Sequence, residues 1–247
     1  MQQELTPREV VLVGGGPGDP DLLTVAGLRA VRQADVIVHD RLGPVSVLQE
    51  ARPGAELINV GKIPRGAFTP QEEINAILID RARRGLRIVR LKGGDSFVFG
   101  RGGEEWQACA EAGVAVRVIP GVTSAVAVPA LAGIPVTHRS LSQGFTVVSG
   151  HVPPGDPRSQ VDWKALARTG TTLVLLMAVK FLPEITAALV DAGLGATTPA
   201  VIVADGSTPE QRFWSATVVD IAEVAEANAV RPPAIVVIGD VAALDLP

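Results

Sequence analysis

Val10-Val11-Leu12-Val13-Gly14-Gly15-Gly16-Pro17-Gly18-Asp19-Pro20 and Ile88-Val89-Arg90-Leu91-Lys92-Gly93-Gly94-Asp95-Ser96-Phe97-Val98-Phe99-Gly100-Arg101-Gly102-Gly103-Glu104-Glu105 are the two stretches that decide the fold. Each begins as a mostly apolar, β-branched run and passes into a glycine-rich turn carrying a carboxylate. Such turns sit at strand ends, where open α/β sheets keep their ligands. Two in one chain are far more specific than one.

Around these stretches, short apolar runs recur at Val36–Val38, Leu57–Val60 and Val114–Ile119, the pattern of strands buried on both faces of a mainly parallel sheet. Helical patterns separate them. The clearest covers residues 70–84: Thr69 is placed to cap it, Pro70 takes the first helical position, and Glu72 completes a capping box. Ile74, Ile77 and Leu78 form its apolar stripe, and Gly85 ends it. A second helix is expected after Asp19-Pro20, burying Leu22, Leu23 and Ala26, and a third after Gly103, enclosing Cys109. The polar, turn-rich segment from Pro135 to Gln143 suggests a boundary, giving domains 1–139 and 140–247. Strands resume at Thr146–Ser149, Thr172–Met177, Ala200–Ala204 and Ala234–Ile238, with a further one at Gln211–Thr217 and helices at Leu182–Ala192 and Ile221–Ala227. The expectation is two α/β domains with a ligand cleft between them.

Composition narrows the function. Hydrophobic residues make up 47% of the 247 and charged ones 19%, as in a folded globular chain. A net charge of −4 gives no global field for nucleic acid or membrane, and the absence of tyrosine removes one stacking residue that RNA recognition uses. The single cysteine allows no internal disulfide, which fits a reducing, cytoplasmic setting. The three histidines lie far apart and show no metal-ligand spacing. The polar start Met1-Gln2-Gln3-Glu4 does not read as a signal peptide, and the apolar stretch Val122–Val136 is broken by Pro129 and Pro135.

The first glycine turn is not a phosphate cradle. Asp19 stands where a dinucleotide fingerprint has its third glycine, and Pro17 removes a backbone N–H. An acid at a helix start repels pyrophosphate. Read blandly, it is a tight strand-to-helix turn capped by Asp19. The second turn invites a ligand more strongly. Five glycines and an arginine fall between Gly93 and Gly103, at an ordering cost of roughly 0.5–1 kcal/mol per glycine. Asp95 is placed to accept hydrogen bonds from ribose hydroxyls or an amine, and Arg101 to sit in a mobile basic loop. Asp40-Arg41 and Gly61-Lys62 follow strands, and His138-Arg139 reads as an anion anchor or a solvated linker. Taken alone, Met177 reads as core and Cys109 as a small buried hydrophobe. There is no G-x-S-x-G, and Ser149-Gly150-His151 lacks the spacing of a nucleophile elbow.

Taken in order, several motifs resemble one family: Val13-Gly14-Gly15-Gly16-Pro17-Gly18-Asp19-Pro20, Asp40-Arg41-Leu42, Val60-Gly61-Lys62, Arg90-Leu91-Lys92-Gly93-Gly94-Asp95, Phe99-Gly100-Arg101-Gly102-Gly103-Glu104-Glu105, Pro120-Gly121-Val122-Thr123-Ser124-Ala125 and Gly133-Ile134-Pro135-Val136-Thr137-His138-Arg139. The chain is similar to the tetrapyrrole methylases from about Val10 to Val241. The resemblance implies two α/β domains, a homodimer, and S-adenosyl-L-methionine (SAM) as methyl donor, leaving S-adenosyl-L-homocysteine. It implies transfer of two methyl groups to C2 and C7 of uroporphyrinogen III, giving precorrin-2 on the way to sirohaem and cobalamin. Carried over by position, SAM would be held by Pro17, Gly93, Gly94, Asp95, Val98, Thr123, Ser124, Met177 and Gly206. Asp40 would accept a proton and Lys62 donate one. Arg101 and Glu104 join them in catalysis, and Arg41, Arg101, Arg139 and Met177 bind the macrocycle. The chain departs from the family pattern at His39, where tyrosine is usual, at Ser96, where proline is common, and in the loop after Lys62, where Arg65 is the remaining arginine. Other classes in view are another precorrin methyltransferase, a methylase of diphthine or ribosomal RNA, and a non-catalytic SAM-binding module.

Overall fold

The computed structural model describes residues 4–41, 43–61 and 69–246. Contacts divide the chain between Thr123 and Ser124.

The first unit is a five-stranded sheet in the order β3-β2-β4-β1-β5, parallel throughout. Its strands are β1 (Glu9–Gly14), β2 (Val36–His39), β3 (Glu56–Asn59), β4 (Ile88–Lys92) and β5 (Ala115–Ile119). The apolar runs are strands because both faces of the sheet are covered. Val11, Val13, Ile37, Val89 and Leu91 pack with Ala30 and Val31 of α1 (Val25–Gln33). Val10, Leu12, Val36, Val38 and Ile88 pack on the other face with Ile74 and Leu78 of α2 (Gln71–Arg83) and Cys109 of α3 (Gly102–Glu111).

Local details depart from the sequence reading. The chain after Asp19 makes only a short 3-10 turn, Pro20–Leu22, capped by the Asp19 carboxylate, which accepts from the Asp21 N–H at 2.9 Å. The helix proper starts later, capped by Thr24, whose hydroxyl accepts from the Gly27 N–H at 3.0 Å. Ala26 consequently faces solvent and Leu22 is only half-buried. The expected capping box on α2 does not form: Pro70 itself is the N-cap and makes no side-chain cap bond.

The second unit is also α/β, with a mixed sheet in the order β6-β7-β10-β8-β9. Here β6 (Phe145–Ser149) and β7 (Thr172–Leu176) run parallel, while β8 (Pro199–Ala204), β9 (Arg212–Thr217) and β10 (Ala234–Ile238) are joined by antiparallel ladders. One face carries α5 (Trp163–Leu166), α6 (Leu182–Asp191) and α7 (Ile221–Ala227) over Leu173, Leu175, Ile202 and Val236. The other carries α4 (Ser124–Leu131), whose Ala125 and Val128 join Val174, Val201, Val203 and Val237. That packing moves the division ahead of the boundary expected at 139/140. The apolar stretch that looked like the tail of the first domain covers the second sheet.

Asp35 braces the first unit. Its carboxylate accepts from the Arg87 backbone N–H at 2.8 Å and from the Arg87 guanidinium at 3.0 Å, and pairs with Arg52 at 2.5 Å. This ties the segment entering β2 to the one entering β4. The Arg87 hydrogen bonds hold the carboxyl below the usual aspartate value of 3.8, at about 2. A depressed acid stabilises the fold fully above its ordinary value and loses that contribution as pH falls through its folded value. Asp35→Asn is therefore expected to cost about 1–3 kcal/mol at neutral pH. Urea melts should show the gap between wild type and variant closing between about pH 4 and pH 2, where Asp35 itself protonates.

Candidate active site

Parallel strands deliver their carboxyl ends to one edge of the first sheet, and most of the candidate residues of that unit sit there. The edge is built on close backbone contact. Beyond β1, the Gly15 N–H donates to the Lys92 carbonyl at 2.7 Å, and Gly16 and Gly94 exchange backbone hydrogen bonds at 3.1 and 2.6 Å. A Cβ on Gly14 would lie 2.5 Å from the Gly121 nitrogen and 2.8 Å from the Gly94 oxygen; one on Gly121 would strike the Gly94 oxygen and the Gly14 backbone. Only glycine fits at these two positions.

Asp95 closes the junction. One carboxylate oxygen accepts from the Phe97 N–H at 2.8 Å and the other from the Gly121 N–H at 2.9 Å, linking the turn after β4 to the end of β5 across β1. The sequence reading gave Asp95 to a ligand alone; the structure gives each of its oxygens a backbone partner. Ser96 is fully buried, and its hydroxyl has no partner among the described residues. Gly100 and Gly102 also have a packing reason: a Cβ on either would lie 2.7 or 2.5 Å from the Ser96 carbonyl oxygen. The loop expected to be mobile is thus folded on its own backbone. Arg101 is the N-cap of α3 with φ 58°, and its guanidinium grips Glu104 through two hydrogen bonds of 2.9 and 2.6 Å. Both side chains are about half exposed. The pairing pushes the Glu104 carboxyl down and the Arg101 guanidinium up.

Asp40 follows β2 on the same edge, next to an ion cluster that sequence reasoning missed. Arg90 and Lys92 alternate along β4 and point to the face that α2 and α3 cover, both almost wholly buried. Glu105 of α3, fully buried, accepts from Arg90 Nε at 3.0 Å and from Lys92 Nζ at 3.0 and 3.1 Å. Gln71 of α2 donates to the same carboxylate at 3.2 Å. Arg90 Nη1 donates to the Leu91 carbonyl at 3.1 Å, and Nη2 lies 3.6 Å from Asp40 Oδ2. Burial and the neighbouring Arg90 charge pull the Lys92 ammonium below the usual lysine value, against the pull of Glu105. The available signal was the pair of cations two residues apart in a strand otherwise buried and apolar.

The other candidates fall as follows. Pro17 and Val98 are half-buried on this edge, and Arg41 is exposed beyond β2. Thr123 ends the first unit. Lys62, Arg65 and Leu42 lie outside the described residues. In the second unit, Met177 is 48% exposed at the carboxyl end of β7 with φ 58°, so the core-packing reading of it is wrong. A bulky residue held in the left-handed region stores strain of order 1–3 kcal/mol. Gly206, after β8 on the same edge of that sheet, has no room for a Cβ against the Val128 side chain of α4, the helix that Ser124 begins. Asp205 and Ser207 flanking it also have positive φ. The dismissed Ser149-Gly150-His151 segment lies beside Met177: the Gly150 N–H donates to the Leu176 carbonyl at 2.8 Å, and Ser149 Oγ is 2.9 Å from His151 Nδ1. Arg139 is exposed in a turn held to the start of β7 by the Thr172 N–H and Ser142 Oγ at 3.0 Å. It is therefore on the opposite edge of the sheet from Met177. No cluster of metal-ligating side chains and no helix able to cross a membrane occurs among the described residues.

The model of the tetrapyrrole (corrin/porphyrin) methylases matches residues 9–222. Among curated relatives, an S-adenosyl-L-methionine-dependent uroporphyrinogen III methyltransferase of Methanosarcina barkeri is 45% identical over 94% of this chain and 91% of its own. A uroporphyrinogen-III C-methyltransferase of Methanocaldococcus jannaschii is 45% identical over 94% and 96%. A siroheme synthase of Pseudomonas entomophila is 44% identical over 96% of this chain, which spans only about half (50%) of that relative. Among solved structures, the uroporphyrin-III C-methyltransferase of Thermus thermophilus complexed with S-adenosyl homocysteine matches with TM-score 0.80 and 42% identity, over 94% of this chain and 98% of that one. A cobalt precorrin-4 methyltransferase matches with TM-score 0.85 at 27% identity.

The strand-end junction makes opposite demands on glycines close in sequence. Gly121→Ala forces β1, β4 and β5 apart and is expected to cost about 1–3 kcal/mol. A Cβ on Gly103, inside α3, meets nothing within 4 Å. Gly103→Ala should therefore leave stability unchanged or raise it by about 0.4–1 kcal/mol. Denaturant midpoints of the two variants check both signs.

Proposed function

The chain belongs to the tetrapyrrole (corrin/porphyrin) methylases, and from that premise we propose that it is a SAM-dependent uroporphyrinogen-III C-methyltransferase, methylating C2 and C7 to give precorrin-2. The observation that carries this reading is the 45% identity to two archaeal enzymes of that name over 91 and 96% of their lengths. Fold likeness alone does not choose the substrate, since the precorrin-4 methyltransferase matches with the higher TM-score of 0.85. Sequence identity favours uroporphyrinogen III, at 42–45% against 27%.

The residues suit such a donor. The turn after β1 carries Asp19 and Asp21 at the start of a short 3-10 turn and a proline in place of an amide, which disfavours phosphates. A nucleoside sulfonium has none. SAM when bound would supply an electrophilic methyl group for an electron-rich pyrrole carbon of the substrate, its S–CH3 bond breaking to leave S-adenosyl-L-homocysteine. Pro17, Gly93, Gly94, Asp95, Val98, Thr123, Ser124, Met177 and Gly206 are assigned to SAM. Asp95 acts there mainly by holding the strand ends that shape the edge. Asp40 takes the proton released once the new C–C bond has formed. The exposed guanidiniums of Arg41, Arg101 and Arg139 bind carboxylates of the substrate, which resolves the conflict between a polyanionic substrate and a protein of net charge −4. Glu104 orients Arg101. Lys62 is assigned the proton-donor role. The protein acts as a homodimer in a soluble biosynthetic pathway, feeding sirohaem or cobalamin.

Wild-type protein incubated with SAM and uroporphyrinogen III should yield a product heavier by two methyl groups. No mass change with that substrate overturns the reading. Asp40→Asn is expected to keep SAM affinity by calorimetry and to lose turnover by about 100-fold or more. Arg139→Ala should raise the uroporphyrinogen KM about tenfold, the value of one charged hydrogen bond, with SAM affinity unchanged. A change in SAM affinity instead would move Arg139 to the cofactor side.

A further inference from the structure

We infer that Glu105 is a positioning residue for the Asp40 carboxylate, acting through Arg90 from wholly inside the domain. The inference rests on the reading above for its kinetic consequence, and on geometry alone for the positioning itself.

Glu105 touches nothing outside the protein: it is fully buried between α2, α3 and β4. Its carboxylate collects three donors, Arg90 Nε, Lys92 Nζ and Gln71 Nε2, all within 3.2 Å. Arg90 is thereby held by its Nε, while Nη1 is fastened to the Leu91 carbonyl at 3.1 Å and reaches the Val38 carbonyl at 3.4 Å. Only Nη2 remains, and it points to Asp40, 3.6 Å from Oδ2. A guanidinium is a rigid planar fork, so fixing two of its nitrogens fixes the third. The Asp40 carboxylate is about a quarter exposed and so meets this buried cation from the solvent side.

Charge balance gives Glu105 a second effect. Arg90 and Lys92 are two cations in one pocket, answered by Glu105 inside and Asp40 at its mouth. Remove the inner anion and both cations compete for the outer one. Lys92, now held off by Glu105 with contacts to both its oxygens, would be released toward Asp40. The carboxylate would then be pulled into the pocket and away from the substrate side.

Glu105→Gln tests this with nearly unchanged volume. The expected result is a fall in kcat of about tenfold or more, the scale of a misplacement near 1 Å, with SAM affinity and uroporphyrinogen KM within about threefold of wild type. In an Arg90→Met background, the same change should produce a smaller further fall than in wild type, because the guanidinium path is already gone and only the release of Lys92 remains. Leu78→Val, a core change in α2 that removes no hydrogen bond or ion pair of these groups, supplies the stability control and should leave kcat unchanged. The second readout needs no substrate. In protein labelled at aspartate carboxyl carbons, the Asp40 resonance, assigned by its loss in Asp40→Asn, should move in Glu105→Gln and stay in Leu78→Val. Full turnover in Glu105→Gln, additive losses in the double variant, or an unmoved Asp40 resonance each overturn the inference. Wild-type inactivity on uroporphyrinogen III would sink the functional reading and leave the resonance test of Glu105 in force.

Discussion

The first unit depends on three strand ends being closer than side chains allow. At Gly14, Gly94 and Gly121 the backbones of β1 and of the segments leaving β4 and β5 touch directly. Backbone polar groups brought so near must pair or pay for desolvation. They pair with each other at Gly16–Gly94 and Gly15–Lys92, and the Gly121 N–H pairs with the Asp95 carboxylate. A carboxylate accepting two backbone N–H groups is a strong, directional tie. Asp40 after β2 and Arg101 at the head of α3 take their positions from this junction, since both are anchored next to the same turn of β4.

Much of this was legible in the sequence, for a stated reason. Buried parallel strands read as continuous apolar runs, and all five strands of the first sheet lie within a residue or so of where those runs predict. The glycine turns marked the carboxyl-terminal edge of that sheet. What the residues alone did not disclose was why the glycines are there. Glycine clusters were read as ligand access, whereas Gly100 and Gly102 are demanded by the Ser96 carbonyl of their own loop, and Gly14 and Gly121 by backbone neighbours distant in sequence. The neighbours of Gly14 and Gly121 meet only after the sheet forms, and no local pattern encodes them. The division of the chain escaped for a related reason: α4 is apolar nearly all round, and nothing in its own sequence tells which sheet it covers.

The second unit shows the converse. Met177 was unremarkable until a resemblance named it, and the structure then supplied a physical mark, an exposed thioether on a left-handed residue at a strand end. Asp205 and Ser207 on the same edge share that backbone conformation. Strain repeated around one edge of a sheet whose core is otherwise regular is costly and persists only where surrounding packing enforces it. Close packing marks the same edge: Ala178 fills the space a Gly150 side chain would need, and Val128 fills that at Gly206.

The buried ions are the most expensive choice in the first unit. Taking Arg90, Lys92 and Glu105 out of water costs several kcal/mol per ion before any attraction is counted. Hydrophobic side chains of similar size on β4 and α3 would pack against Leu78 and Cys109 at no such cost, so stability does not account for them. An apolar core would place β4 equally well but would remove the guanidinium nitrogen that faces Asp40 at 3.6 Å. Packing contacts are short-ranged and nearly non-directional, whereas a guanidinium held at two nitrogens transmits orientation through the protein interior. An ionic core is the physical form a positioning element takes when the group it positions must itself stay open to solvent.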